Sequence, residues 1–181
     1  MRLLLYLCRR LSETSAIERE VKKAVLSDLP QVMRLIECGR QTMRLSGNIH
    51  QWEGNYPPQE QLRQDIARGH SYLLMEGGES IATFAFIPGP DITYRRIKQG
   101  RWLDETRAYA VIHRVAALPS RHGVMKDILR YCFSIIDNIR IDTHRDNTIM
   151  RHCLASCGFS YCGIIHLLNG DERLAYQKII R

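Results

Sequence analysis

The chain has 181 residues, 45% of them hydrophobic and 25% charged, which suits one globular domain with a substantial core and excludes a disordered or fibrous protein. Its net charge of +7 would permit nucleic-acid binding, but the basic residues are scattered rather than gathered in one run, so a solvated surface accounts for them and no nucleic acid is expected. The six apolar residues before Arg9 and Arg10 are too few for a secretory signal or a membrane span, which points to a cytoplasmic protein with no membrane partner.

Residues 1–20 read as an N-terminal extension, a short extra helix or a loose segment, and residues 21–181 as a single domain. Lys22 to Leu26 reads as the first strand. Ser27 can cap a helix that turns Leu29, Val32, Met33, Ile36 and Met43 inward and ends near Ser46-Gly47. A second helix spans about Gln59 to Arg68 and stops at Gly69, so Ile49 to Tyr56 forms a polar loop that holds Trp52, Glu53 and Tyr56. Ser71–Met75 and Ser80–Ile87 flank Glu76-Gly-Gly-Glu79 and read as a hairpin. The stretch from Pro88 to Ala108, with Tyr94 and Trp102, is too long for a simple connection, and insertions of that length often line binding sites.

Tyr109 to Ala117 is a buried strand, Leu118 to Gly123 a turn, and Val124 to Asp137 an amphipathic helix with Val124, Ile128, Leu129, Cys132, Ile135 and Ile136 on its packed face. A glycine at such a helix start lets backbone N–H groups approach an anion, and Arg121, His122 and Lys126 add charge suited to a pyrophosphate. The plainer alternative is that Gly123 only turns the chain and the basic residues are solvated. Ile139 to Thr143 reads as the next strand, Asn147 caps a helix that runs to Cys157 and stops at Gly158, and Gly158–Ile164 and Arg173–Ile179 are two closing strands.

Ser120-Arg-His-Gly-Val-Met125 and Asn147-Thr-Ile-Met-Arg-His-Cys-Leu-Ala-Ser-Cys-Gly-Phe159, in this order of elements, resemble the phosphate loop and the following segment of the GNAT acyltransferases. The resemblance covers nearly the whole chain. It implies an α/β fold of α+β layered type, with a central mixed, mostly antiparallel sheet of about six to seven strands flanked by helices. It implies an acetyl-CoA-dependent N-acetyltransferase that acts by direct attack of a primary amine on the thioester, with acetyl-CoA as co-substrate. Val115, Ala116 and Ala117 would then meet the pantetheine arm, Arg121, His122, Gly123, Val124, Met125 and Lys126 the pyrophosphate, and Asn147 the cofactor's far side. The departures are Ser120 in place of the usual Gln or Arg, Met125 in place of Gly or Ala, and Leu154 in place of a tyrosine that often protonates the thiolate. These keep a second reading open, a non-catalytic acyl-CoA-binding or interaction module of the same fold.

Amine acetylation needs a base near neutral pH. Strand alternation puts His113 on the side of Val111, Val115 and Ala117, with Arg114 opposite, and His113 is the first candidate base; a hydrogen-bonded core histidine is the alternative. His144 with Asp142, at the end of the next strand, is the other candidate. Tyr161, Ser156 or a water could serve as the acid. Trp52, Glu53, Tyr56, Tyr94 and Trp102 could enclose a cationic amine, with Glu53 or Asp104 opposite its charge, or could simply anchor loops. The expected acceptor is a small-molecule amine rather than a peptide, and a homodimer is left open. Six cysteines include no C-x-x-C pair, so buried thiols are expected and no metal, although Cys153, Cys157 and His152 share a helix neighbourhood.

Overall fold

A computed structural model describes residues 18–180, so readings that fall on residues 1–17 lie outside it. In chain order the elements are β1 (Arg19–Lys23), α1 (Leu29–Leu45), α2 (Gln59–Ala67), β2 (Ser71–Glu76), β3 (Glu79–Pro88), β4 (Ala110–Ala117), α3 (Val124–Phe133), β5 (Asn138–Thr143), α4 (Thr148–Ser156), β6 (Ser160–His166) and β7 (Glu172–Ile179). The seven strands form one sheet in the order β1-β2-β3-β4-β5-β7-β6. All neighbours are antiparallel except β4 and β5. This is the expected mixed, mostly antiparallel α/β layering.

The helices cover the two faces of the sheet. Leu29, Val32, Leu35 and Ile36 of α1 pack with Leu62 and Ile66 of α2 against Leu73 and Ala116. On the other face Val124, Ile128, Leu129 and Cys132 of α3 and Leu154 of α4 meet Tyr72, Phe84 and Ile112. Each large apolar side chain so buried contributes about 1.5–3 kcal/mol. A third cluster joins Tyr94 and Trp102, from the long connection before β4, to Val111, Cys162, Ile165 and Ala175.

Several boundaries differ from the sequence expectation. β1 starts and ends three residues early, because the Asp28 carboxylate accepts the Val25 N–H at 3.0 Å and folds Leu26–Asp28 into a 3-10 turn. Asp28, not Ser27, therefore precedes α1, which has Pro30 in its first turn. Met33 lies on the exposed side of α1 and Leu35 takes the inner position. The third helix stops at Phe133 rather than Asp137: Ser134 Oγ donates to the Tyr131 carbonyl at 2.6 Å, Ile135 N–H falls back on Cys132, and Ile135 is exposed. Asn138 opens β5 instead of ending the helix.

The sheet carries two irregularities that matter for the site. Thr83 faces Ala116 while Ala85 faces His113, so β4 holds one residue more than β3, and Arg114 has the left-handed φ of 54°. The bulge overturns the simple alternation. His113 keeps company with Val111 and Tyr94, but Val115 and Ala117 turn to the α3 and α4 side. Second, parallel β4 and β5 pair only at Ala110–Ile139 and Val111–Arg140 and then part. Arg140 closes the paired end, its guanidinium 4.0 Å from the Trp102 ring centroid and 3.9 Å from that of Tyr109.

Candidate active site

The separation of β4 from β5 leaves the β4 backbone edge beyond Val111 without a strand partner on that side. Three neighbouring hollows that share lining residues follow the opening. The first, about 410 Å³, lies between α1, the end of β4, and the starts of α3 and α4. Val115, Ala116, Ala117, Arg121, His122, Gly123, Val124, Met125 and Asn147 line it, so nine of the residues expected to meet a cofactor are brought together. Lys126 is exposed and lies beyond its wall.

Local chemistry explains the shape of this first hollow. Gly123 has φ 75°, the left-handed conformation that an L side chain adopts only with strain, and it starts α3 without a side-chain cap. Among the described residues, the backbone N–H groups of His122, Gly123, Val124 and Met125 find no acceptor. Met125 and Val124 send their side chains into the core, which leaves only backbone at the turn. Arg19 holds the turn in place by donating to the His122 carbonyl at 2.7 Å while pairing with Glu76 and Asp127. Arg121 is drawn back toward Glu76 at 2.7 Å and Glu79 at 3.3 Å. On the opposite wall Gly39 allows α1 to approach β4, since a Cβ there would come within 2.9 Å of Ala116 Cβ.

A narrow neck of about 80 Å³, lined by His113, Asp142, Thr143 and Asn147 among others, leads out of this hollow. His113 Nε2 is 3.3 Å from Asp91 Oδ2, and Nδ1 is 3.5 Å from Asp142 Oδ1. Asp91 is fixed by Thr93, whose N–H and Oγ1 donate to its Oδ1, and its own N–H donates to the Tyr109 hydroxyl. Burial opposes ionisation of Asp91, but the hydrogen bonds from His113 and Thr93 outweigh it and lower its carboxyl to about 2. Tyr94 donates its hydroxyl to Asp142 at 2.6 Å, and burial followed by the Asp142 charge raises its phenol well above the ordinary value, so it remains a donor. Gln51 Oε1 ties the far wall together by accepting from Asn48, Thr143 and Asn147.

The neck opens into a second large hollow of about 450 Å³ between the Gln51–Tyr56 loop and the β6–β7 turn, lined by His50, Glu53, Tyr56, Thr93, Asn169, Asp171 and Arg173. Glu53 and Tyr56 are thus at this hollow, and Trp52 borders the neck from within the α1 and α2 core. Tyr94 and Trp102 do not join them. They stack on each other with centroids 5.5 Å apart, and Trp102 Nε1 donates to the Tyr94 carbonyl, so the expected convergence of aromatics is corrected to a separate core. Asp104 caps its own turn through Thr106 and Arg107 and lies among the residues of neither hollow.

His144 lines none of the three hollows, and its Nδ1 accepts the Asp146 N–H at 3.2 Å. Burial, then the Arg173 charge, holds its imidazole below the ordinary 6.5. Tyr161 projects beside Trp102 and Cys162 into a different surface depression, and Ser156 donates to the Cys153 carbonyl; neither lines the neck. Leu154 is wholly buried in the core, so its side chain does not face the cleft. No cluster of three metal-ligating side chains occurs among the described residues, and no described helix is long and apolar enough to cross a membrane.

Sequence reasoning missed Asp91, Gln51 and Arg173. Asp91-Ile-Thr93 has the spacing of an Asx turn, which was the one available signal for the first. Gln51 and Arg173 are ordinary polar residues in a loop and a strand, and only tertiary folding turns them toward the cleft.

No protein-family profile and no curated protein sequence matches the chain. Solved structures do. A GNAT-family acetyltransferase from Streptococcus agalactiae is 28% identical, with a TM-score of 0.79 over 90% of this chain and 96% of that one. A GNAT-family acetyltransferase from Listeria monocytogenes is 18% identical, with a TM-score of 0.67 over 92% and 97%. On that likeness, over 90% of this chain, the chain belongs to the GNAT superfamily.

Proposed function

We propose that the protein is an acetyl-CoA-dependent N-acetyltransferase whose acceptor is a small-molecule primary amine. The observation that carries this reading is the succession, among the described residues, of four amides without an acceptor at the start of α3, the free edge of β4, His113, and a hollow beyond it. The residues fit the co-substrate. The amides of His122 to Met125 suit pyrophosphate oxygens, Ser120 is not among the residues that line this hollow, and Met125 packs its side chain into the core. The β4 edge beyond Val111 suits an extended amide-bearing arm, whose thioester would then lie at the neck. A hollow of about 450 Å³ suits a small acceptor, and this volume replaces the aromatic enclosure as the ground for preferring one.

In this reading His113, its Nε2 held by Asp91, takes one proton from the acceptor ammonium at Nδ1, directly or through one water. The imidazolium so formed lies between the Asp91 and Asp142 carboxylates. The free amine attacks the thioester carbonyl, the C–S bond breaks, and the nitrogen loses its second proton to water, which hands a proton on to the thiolate. The thiolate takes a proton from water; a thiol with a pKa of roughly 8.5 is a good enough leaving group to need no side-chain acid.

The test is thiol release from acetyl-CoA with a panel of primary amines. His113→Ala is expected to lower kcat/KM about a hundredfold or more and to flatten the acidic limb of the pH profile. His144→Ala, outside the hollows, should leave the rate close to that of the parent. Coenzyme A binding with no thiol release for any amine would favour an acyl-CoA-binding module. Loss of stability without loss of turnover would make His113 a core residue.

A further inference from the structure

Arg173 sits where the neck meets the outer hollow, and its side chain is only 6% exposed. A guanidinium in such a place carries a large desolvation cost unless something opposite in charge meets it. The other deeply buried arginines are held by closer contacts, a carboxylate for Arg114 and two aromatic faces with a carbonyl for Arg140. Arg114 Nη2 lies 2.8 Å from Asp65 Oδ2, and Arg140 is clasped by two aromatic rings and donates to the Asp104 carbonyl at 2.9 Å.

Arg173 has less. Nη1 donates to the Glu172 backbone carbonyl at 2.9 Å, and Nη2 is 3.6 Å from Asp171 Oδ2, beyond hydrogen-bond range. Asp171 is half exposed, and the same Oδ2 already accepts from Asn169 Nδ2 at 3.0 Å. The charge of Arg173 is felt nearby, where it adds to burial in disfavouring the protonated form of His144. The remaining acid of the hollow, Glu53, is 67% exposed and engaged with His50 at 2.8 Å. Solvent screens it far more than it screens the buried guanidinium.

From this geometry we infer that the acceptor is a small amino acid, an amine and a carboxylate on one molecule, with its carboxylate on Arg173 and its amine directed to His113. The inference rests on the acetyltransferase reading for the role of the amine, but the carboxylate site itself does not. Arg173 faces both the neck that holds His113 and the hollow beyond, so one compact molecule meets both groups. A planar guanidinium matches a carboxylate in two parallel hydrogen bonds. Acetylation removes the ammonium charge and leaves this anchor in the product.

Two measurements test the idea separately. The first is thiol release from acetyl-CoA with the L-amino acids, their amides and the corresponding decarboxylated amines. The acids should exceed their own amides in kcat/KM by about tenfold or more, as expected for charge-assisted hydrogen bonds. Arg173→Gln should raise KM for the acids and narrow that gap, and Arg173→Lys should restore part of it. The second is calorimetric binding of N-acetyl amino acids, which needs no turnover, to the parent protein and to Arg173→Gln. Thiol release that is equal for acids, amides and decarboxylated amines would overturn the carboxylate site and leave acetyl transfer standing. Binding of N-acetyl amino acids to the parent but not to Arg173→Gln, with no thiol release from any amine, would uphold the site and sink the transfer reading. Silence in both assays overturns the inference. The acid–amide comparison on the unaltered protein stays decisive if Arg173→Gln does not fold.

Discussion

Replacement of Gly123 by valine isolates the contribution of the helix terminus to cofactor binding. A Cβ at this position would meet only Arg19 Nη1, at 3.7 Å, so the substitution adds no clash; its cost is the φ of 75°. A left-handed conformation costs an L residue roughly 1–2 kcal/mol, and more when the side chain is β-branched, so the turn relaxes toward negative φ. That rotation swings the adjoining N–H groups of the His122–Met125 run, which find no acceptor among the described residues. A hydrogen bond to a charged group contributes about 1.5–3 kcal/mol, so losing one or two of them should weaken coenzyme A by about 3 kcal/mol, roughly a hundredfold in Kd. Calorimetric titration of coenzyme A and, separately, of pantetheine into Gly123→Val and Gly123→Asn gives the test. Asparagine tolerates the left-handed region and should keep most of the affinity. Pantetheine lacks the pyrophosphate and should bind all three proteins alike. Unchanged coenzyme A affinity in a folded Gly123→Val protein, or an equal loss for pantetheine, would refute the assignment.

Asp91 ionises in the folded chain at about 2 against an ordinary 3.8, so its contribution to stability is full above 3.8 and disappears as pH falls toward 2. The shift corresponds to about 2.5 kcal/mol, cut by partial exposure to roughly 1–2 kcal/mol. Denaturant titrations at pH 5 and pH 2.5 should show Asp91→Asn losing less than the parent; an equal loss would mean that other carboxylates dominate. Asp65→Asn leaves Arg114 buried without its counter-charge and should cost about 3–5 kcal/mol, most of it recovered in Arg114→Met with Asp65→Leu. Failure of the double variant to recover would show that the bulge itself needs arginine. His144, held below 6.5 first by burial and then by Arg173, destabilises the fold as pH falls below 6.5. His144→Gln should shallow that decline, and an unchanged pH dependence would assign it elsewhere.

How much of this was legible in the sequence depends on the range of the interactions that decide it. Element order and the helix start at Gly123 follow from short-range rules, and so does the Asn147 cap, whose side chain accepts the Met150 N–H at 3.0 Å. The orientation of β4 did not follow. Strand periodicity assigns faces only while the register holds, and nothing local in His113-Arg-Val marks Arg114 as the extra residue. What holds it there is Asp65, 49 positions earlier by residue number, on α2. The long connection before β4 was also misread in part. Its two large aromatics suggested a binding wall, but they cover the closed end of the strand pair, and its contribution to the cleft is the small polar Asp91-Ile-Thr93 turn.

The bulge links the chemistry to the cofactor wall through one backbone event. With regular alternation, Val115 and Ala117 would share the face of His113 and the polar neck. Because Arg114 is inserted, they turn instead toward α3 and α4, while His113 keeps its place between Asp91 and Asp142. Ala116 is left facing α1, where Gly39 lets the helix close upon it. The Arg114–Asp65 pair then ties that face of the sheet to α2, next to the loop that carries Gln51 across to Thr143 and Asn147. A disturbance at Arg114 should therefore reach both sides of the neck, whereas one at Gly123 acts on a turn that Arg19 supports independently. Acceptor handling and cofactor anchorage are separable at the helix terminus but coupled at the bulge, so substitutions at the two positions should differ in whether they change KM for one reactant or for both.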